Sequence, residues 1–205
     1  MFDNISDRVT DSLIQNQIIN IEDRELYYYG VQQGLVAVLN FITTIIIGCL
    51  CGMLWESIIY MISYIPLRHF AGGFHAKTPT RCYIFSILML FSVLSAMKWV
   101  VFSCTICSVI AILTFSIIFL SAPVADRNKP LDSTEHYVYR NRARMIAGIE
   151  MIIVLVLIWK NKMHLACCIS WCLILTVIMM WMGLSKNHLF KREVNTVIKK
   201  GKRSR

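Results

Sequence analysis

The chain has 205 residues, of which 57% are hydrophobic and only 16% charged, and its net charge is +9. An ordinary soluble domain carries about 25% charged residues, so this composition excludes a typical water-soluble enzyme. The charges are also segregated: residues 34–55, 99–124 and 163–185 contain none, and uncharged apolar runs of about 18 residues or more read as membrane-spanning helices.

In chain order, Phe2, Ile5, Val9, Leu13, Ile14 and Ile18 recur at spacings of three to five among polar residues. That pattern predicts an amphipathic helix lying along the membrane surface or packing on the bundle. Asp3, Asp7, Asp11, Glu22, Asp23 and Glu25 lie where a cleavable leader needs a basic start and an apolar run, so the chain is expected to insert whole. Six spans follow, at roughly 27–48, 53–68, 80–97, 99–121, 144–160 and 163–184, the second interrupted by Pro66. The expected fold is therefore all-α: a polytopic membrane protein of about six transmembrane helices plus the N-terminal amphipathic helix. It forms one membrane-embedded domain over 1–205, with 1–26 as surface helix, 27–184 as bundle and 185–205 as a basic cytoplasmic tail.

Basic residues collect on the cytoplasmic side of membrane proteins. With six spans, eighteen Lys and Arg fall on the side shared by both termini, and Lys98, Lys160 and Lys162 fall on the other. Both termini are thus expected in the cytoplasm. The tail from Lys186 to Arg205 holds eight basic residues and the single acid Glu193. Such a tail anchors to anionic membrane lipids; no aromatic-interleaved basic patch points to nucleic acid. The lipid-facing spans leave room for a homodimer, but no motif demands one.

Seven of the eight cysteines lie in or beside apolar spans, where a thiol acts as a small hydrophobe. Cys82 differs. It closes the polar stretch Arg68-His69-Phe70-Ala71-Gly72-Gly73-Phe74-His75-Ala76-Lys77-Thr78-Pro79-Thr80-Arg81-Cys82. Gly72-Gly73 permits a tight turn with positive φ, and Thr78-Pro79 reads as an N-cap followed by proline at the first helical position. Cys82 then falls in the first turn of the third span, where the helix dipole, Lys77 and Arg81 favour a thiolate. On one continuous helix His75 and Cys82 would be about 10 Å apart along the axis. The cap instead places His75 outside the helix, free to fold back. A Cys–His couple, an ordinary loop histidine beside a helix-start cysteine, and a zinc site of His69, His75 and Cys82 are all compatible with this spacing. The zinc reading lacks a fourth ligand, and no HExxH motif occurs.

The Arg68, Gly73-Phe74-His75-Ala76 and Cys82 pattern resembles the accessory gene regulator B (AgrB) family, membrane cysteine endopeptidases of bacterial quorum-sensing systems. Gly30-Val31-Gln32 before the first span and Ala122-Pro123-Val124-Ala125-Asp126-Arg127-Asn128-Lys129-Pro130-Leu131 after the fourth extend the resemblance over essentially the whole chain.

The resemblance implies Cys82 as nucleophile and His75 as general base and acid. Arg68 and Gly73 match essential hairpin residues, with Arg68 a candidate for substrate carboxylates. Gln32 matches a polar residue that could orient His75 or serve an oxyanion, with neighbouring Gln33 as a competing alignment and helix–helix glue as the structural alternative. Lys77, Arg81 and Lys129 belong to basic loops that would attract an acidic peptide. The implied partner is an AgrD-like precursor peptide, cleaved before its C-terminal tail and cyclised to a thiolactone or lactone. No cofactor or metal is implied, and the implied location is a bacterial plasma membrane. Two rival classes fit the spans without that chemistry: a small peptide transporter or export subunit, and a non-catalytic scaffold.

Overall fold

The computed structural model describes residues 2–74, 78–124 and 132–203. Among these, α-helices run over Phe2–Gln15 (α1), Arg24–Leu50 (α2), Leu54–Ala71 (α3), Pro79–Trp99 (α4), Cys104–Ser121 (α5), Ser133–Trp159 (α6) and Met163–Arg203 (α7), with a short 3-10 turn at Ile21–Asp23. Four of them, over 21–50, 79–99, 104–121 and 163–187, are long and apolar enough to cross a membrane. α3 carries Glu56 and Arg68-His69, and α6 opens on a charged half containing Glu135, Arg140, Arg142 and Arg144. The protein is an all-α polytopic membrane protein.

All six predicted spans fall on helices, and the differences lie at their ends. Pro66 does not interrupt α3, which continues to Ala71. A proline within a membrane helix removes one backbone bond, a loss that such helices tolerate through local adjustment. The fourth span starts at Cys104 rather than at residue 99, because the Ser103 hydroxyl accepts the Ile106 amide at 3.4 Å and caps it. α6 begins eleven residues before the apolar span expected from residue 144. Asp132 and Glu135 form a reciprocal capping box there, satisfying two amides that a helix start leaves bare. The basic tail continues α7 as helix to Arg203.

The chain divides into two compact units, Met1–Leu54 with Ala76–Ser92, and Trp55–His75 with Val93–Arg205. In the first, α1 packs on α2 through an antiparallel polar seam of four-residue period. Arg24 bonds Asp7 at 3.0 Å and Asp11 at 2.9 Å, Tyr28 bonds Asp3 at 3.1 Å, and Gln32 bonds Asp3 at 2.9 Å. Ser6 and Thr10 are fully buried; small residues at that spacing let helices approach closely. Ile5 and Val9 stay partly exposed on the flank. The predicted amphipathic helix is therefore present and docks on α2.

The core of the second unit is built from α5, α6, α7 and the end of α3. Cys107, Ala111 and Ile118 face Ala143, Ala147 and Val154, with Leu67, Ala71, Leu173 and Met180 in the same cluster. Small side chains at every third or fourth position allow the close packing that apolar surface alone cannot drive within lipid. Cys107, Cys167, Cys168 and Cys172 are buried free thiols in this unit.

Candidate active site

The start of α4 lies in the first unit. Its amides lack intrahelical partners, and Thr78 meets two of them: its hydroxyl accepts the Arg81 amide at 3.4 Å and its carbonyl the Cys82 amide at 3.0 Å. Pro79, which has no amide to satisfy, is the first helical residue. Cys82 thus occupies the first turn of α4 and is partly exposed. Ser86 donates to the Cys82 carbonyl at 3.0 Å. One residue on, the Tyr83 hydroxyl shares a 2.7 Å hydrogen bond with Thr43 of α2. Arg81 shares the turn and is exposed.

The hairpin after α3 lies in the second unit and is held by backbone. Gly72 (φ +75°) and Gly73 (φ +117°) adopt conformations that side-chain-bearing residues rarely take. The Gly73 amide donates to the Val124 carbonyl at 2.9 Å, the Val124 amide to the Ala71 carbonyl at 2.9 Å, and the Phe74 amide to the Met179 carbonyl of α7 at 3.1 Å. A Cβ on Gly72 would lie 2.2 Å from the Val124 oxygen, and one on Gly73 would lie 2.5 Å from the Met179 oxygen. α7 makes room from its own side, since a Cβ on Gly183 would come within 2.7 Å of Gly73. Arg68 closes the turn by donating to the Gly72 and Phe74 carbonyls. Lys186 stacks its ammonium 5.2 Å from the Phe74 ring centre, while His69 packs against Phe70 and Tyr139.

Arg68 and Gly73 are thus brought together, and Arg68 serves the turn itself. Gln32 is buried and bonded to Asp3, whereas Gln33 is exposed. His75, Lys77 and Lys129 lie outside the described residues. Gly183 and Val124, which contact the hairpin most closely, were not singled out by motif. Val124 stood within a matched loop, and Gly183 is one glycine in an apolar helix.

The family model of accessory gene regulator B (AgrB) matches residues 6–180. The chain belongs to this family. It is 26% identical over 157 residues to AgrB-like protein 1 of Clostridium perfringens strain 13, covering 73% of this chain and 82% of that protein. An AgrB-like protein of C. perfringens strain SM101 is 25% identical over 138 residues, 64% of each chain. One from Listeria monocytogenes serovar 1/2a is 28% identical over 167 residues, 73% of this chain and 76% of its own. No solved structure gives a significant match. AgrB-family membership suggests a role in processing a pheromone precursor in quorum sensing, within a family of peptidase-like proteins whose partner is a peptide precursor.

Proposed function

We propose that this AgrB-family chain is a cysteine endopeptidase that cleaves the C-terminal tail from a pheromone precursor and promotes ring closure. The observation that carries this reading is the capped start of α4, with Cys82 in its first turn, at the position of the family's His-Ala and Cys pattern. Cys82 is the nucleophile and His75 the base. The Cys82 thiolate attacks the carbonyl carbon of the bond before the tail; the C–N bond breaks, and the leaving amine takes its proton from the His75 imidazolium. The product is a thioester on Cys82. An internal cysteine or serine of the precursor gives its proton to the now neutral His75 imidazole and attacks that thioester, closing a thiolactone or lactone, releasing the Cys82 thiolate and restoring the imidazolium.

Arg81, Lys77 and Lys129 raise the local positive potential and favour an acidic tail. Gln32 is a candidate for orienting His75 or for the oxyanion. The protein sits in a bacterial plasma membrane with both termini in the cytoplasm, its basic tail held against anionic lipid, and a homodimer is compatible with its apolar surface. Replacing Cys82 by Ala should abolish precursor cleavage in membranes while insertion stays normal; undiminished cleavage overturns the reading. A precursor lacking its ring-forming nucleophile should accumulate as a covalent adduct on Cys82, visible by mass spectrometry.

A further inference from the structure

The end of α7 and the hairpin after α3 meet backbone to backbone. The Phe74 amide donates to the Met179 carbonyl at 3.1 Å, although that carbonyl lies inside α7. In an α-helix the carbonyl of residue i points at the amide of residue i+4, so the side chain at i+4 flanks it. Four residues after Met179 stands Gly183. A Cβ there would lie 2.7 Å from both the Cα and the carbonyl carbon of Gly73, and 2.9 Å from the Phe74 nitrogen, the donor itself. Only a glycine at 183 leaves the Met179 carbonyl open to an amide from outside the helix.

Lys186 extends the same face, since positions 179, 183 and 186 are four and three apart, the spacing that aligns residues along one side of a helix. Its ammonium lies 5.2 Å from the centre of the Phe74 ring, within reach of a cation–π contact. α7 therefore holds Phe74 twice, at its amide and at its ring. The turn itself is already closed by Arg68 on the Gly72 and Phe74 carbonyls, so α7 is not needed to reverse the chain. What α7 adds is a fixed place for Phe74, and His75 is the next residue in the chain.

We propose that this face of α7 positions the hairpin for catalysis, with Gly183 and Lys186 as positioning residues that hold Phe74 and so set where the chain delivers His75. This role rests on the assignment of Cys82 and His75 as nucleophile and base; Gly183 and Lys186 act through the hairpin and not on the substrate. Gly183→Ala sets a carbon 2.7 Å from Gly73, where ordinary contact begins at 3.4 Å, so the hairpin backbone must shift. A misplacement of about 1 Å at a reacting group costs about a hundredfold in rate. Alanine is also a better helix former than glycine, so α7 itself is not weakened and the hairpin is what gives.

The test measures cleavage of a synthetic precursor, with a ring-forming cysteine and an acidic C-terminal tail, by the full chain in lipid vesicles, per inserted molecule. Gly183→Ala should lower kcat about tenfold or more at unchanged KM, and should speed hydrogen exchange at the Phe74 amide. Gly148→Ala in α6, whose added carbon meets only the Phe115 ring at 3.5 Å, should leave both unchanged. Lys186→Gln, a milder change at a half-buried position, should lower kcat about threefold at unchanged KM, and Lys186→Arg should keep the wild-type value because a guanidinium also sits over a ring. A raised KM in place of a lowered kcat overturns the proposal and marks this face of α7 as a surface that binds the acidic tail. Wild-type kcat in both Gly183→Ala and Lys186→Gln overturns it too; with Cys82→Ala inactive alongside, the cysteine assignment then stands. If Cys82→Ala cleaves at the wild-type rate, that assignment falls and the positioning role falls with it.

Discussion

The start of α4 and the hairpin at the end of α3 are held in place by different means. At α4 a threonine cap and a proline set the first turn locally, and one tyrosine–threonine bond ties it to α2. At the hairpin the contacts are long-range and run between backbones, with Val124 and Met179 as partners and three glycines leaving the space. A locally specified helix start tolerates change in its surroundings. A turn assembled from distant backbone does not, since any added atom displaces a main chain with nowhere to go.

The difference can be broken most severely at Gly73. Replacing it by Ala brings a Cβ within 2.5 Å of the Met179 oxygen and forces a residue with a side chain to φ +117°. We expect a loss of about 3 kcal/mol or more from overpacking and backbone strain together, read as lost hydrogen-exchange protection at Phe74 and Val124. Arg68→Lys comes next. Lysine keeps the charge but cannot span two carbonyls as the guanidinium fork does, and the cost should be about 2 kcal/mol in hairpin protection. If Arg68 acts instead on a substrate carboxylate, Lys would preserve that protection and change only precursor affinity.

On the other side of the comparison, Thr78→Ala should destabilise the first turn of α4 by about 1 kcal/mol and Thr78→Ser by much less, measured as exchange at the Arg81 and Cys82 amides. The smallest effect is expected for the Tyr83–Thr43 bond. A double-mutant cycle with Tyr83→Phe and Thr43→Val should give a coupling of about 1 kcal/mol; a coupling of zero would show that α4 starts without help from α2.

Features specified within a few residues were legible in the sequence. The uncharged runs mark the helices, Thr78-Pro79 marks the start of α4, and Gly72-Gly73 marks a turn with positive φ. The start of α6 was missed: the charges before the apolar run at 144–160 read as loop, and the Asp132–Glu135 capping box emerges only from the fold. What could not be read is contact across the chain. Nothing near Gly183 says that its missing Cβ makes room for Gly73, and nothing near Asp3 says that it will bond Gln32. Arg68 shows the same limit at the candidate site: its residue type fits a carboxylate, and only the fold reveals the two carbonyls it serves.

The inward-facing polar stripe of α3, formed by Ser57, Tyr60 and Ser63, bears on how the molecule is made. These residues leave the ribosome long before α6 and α7 exist, so the face that α3 buries in the finished fold enters the bilayer uncovered. Its final position is settled only when α6 and α7 arrive. A chain ending before residue 150 would leave that stripe facing lipid, a defect that the cell's membrane quality control could recognise.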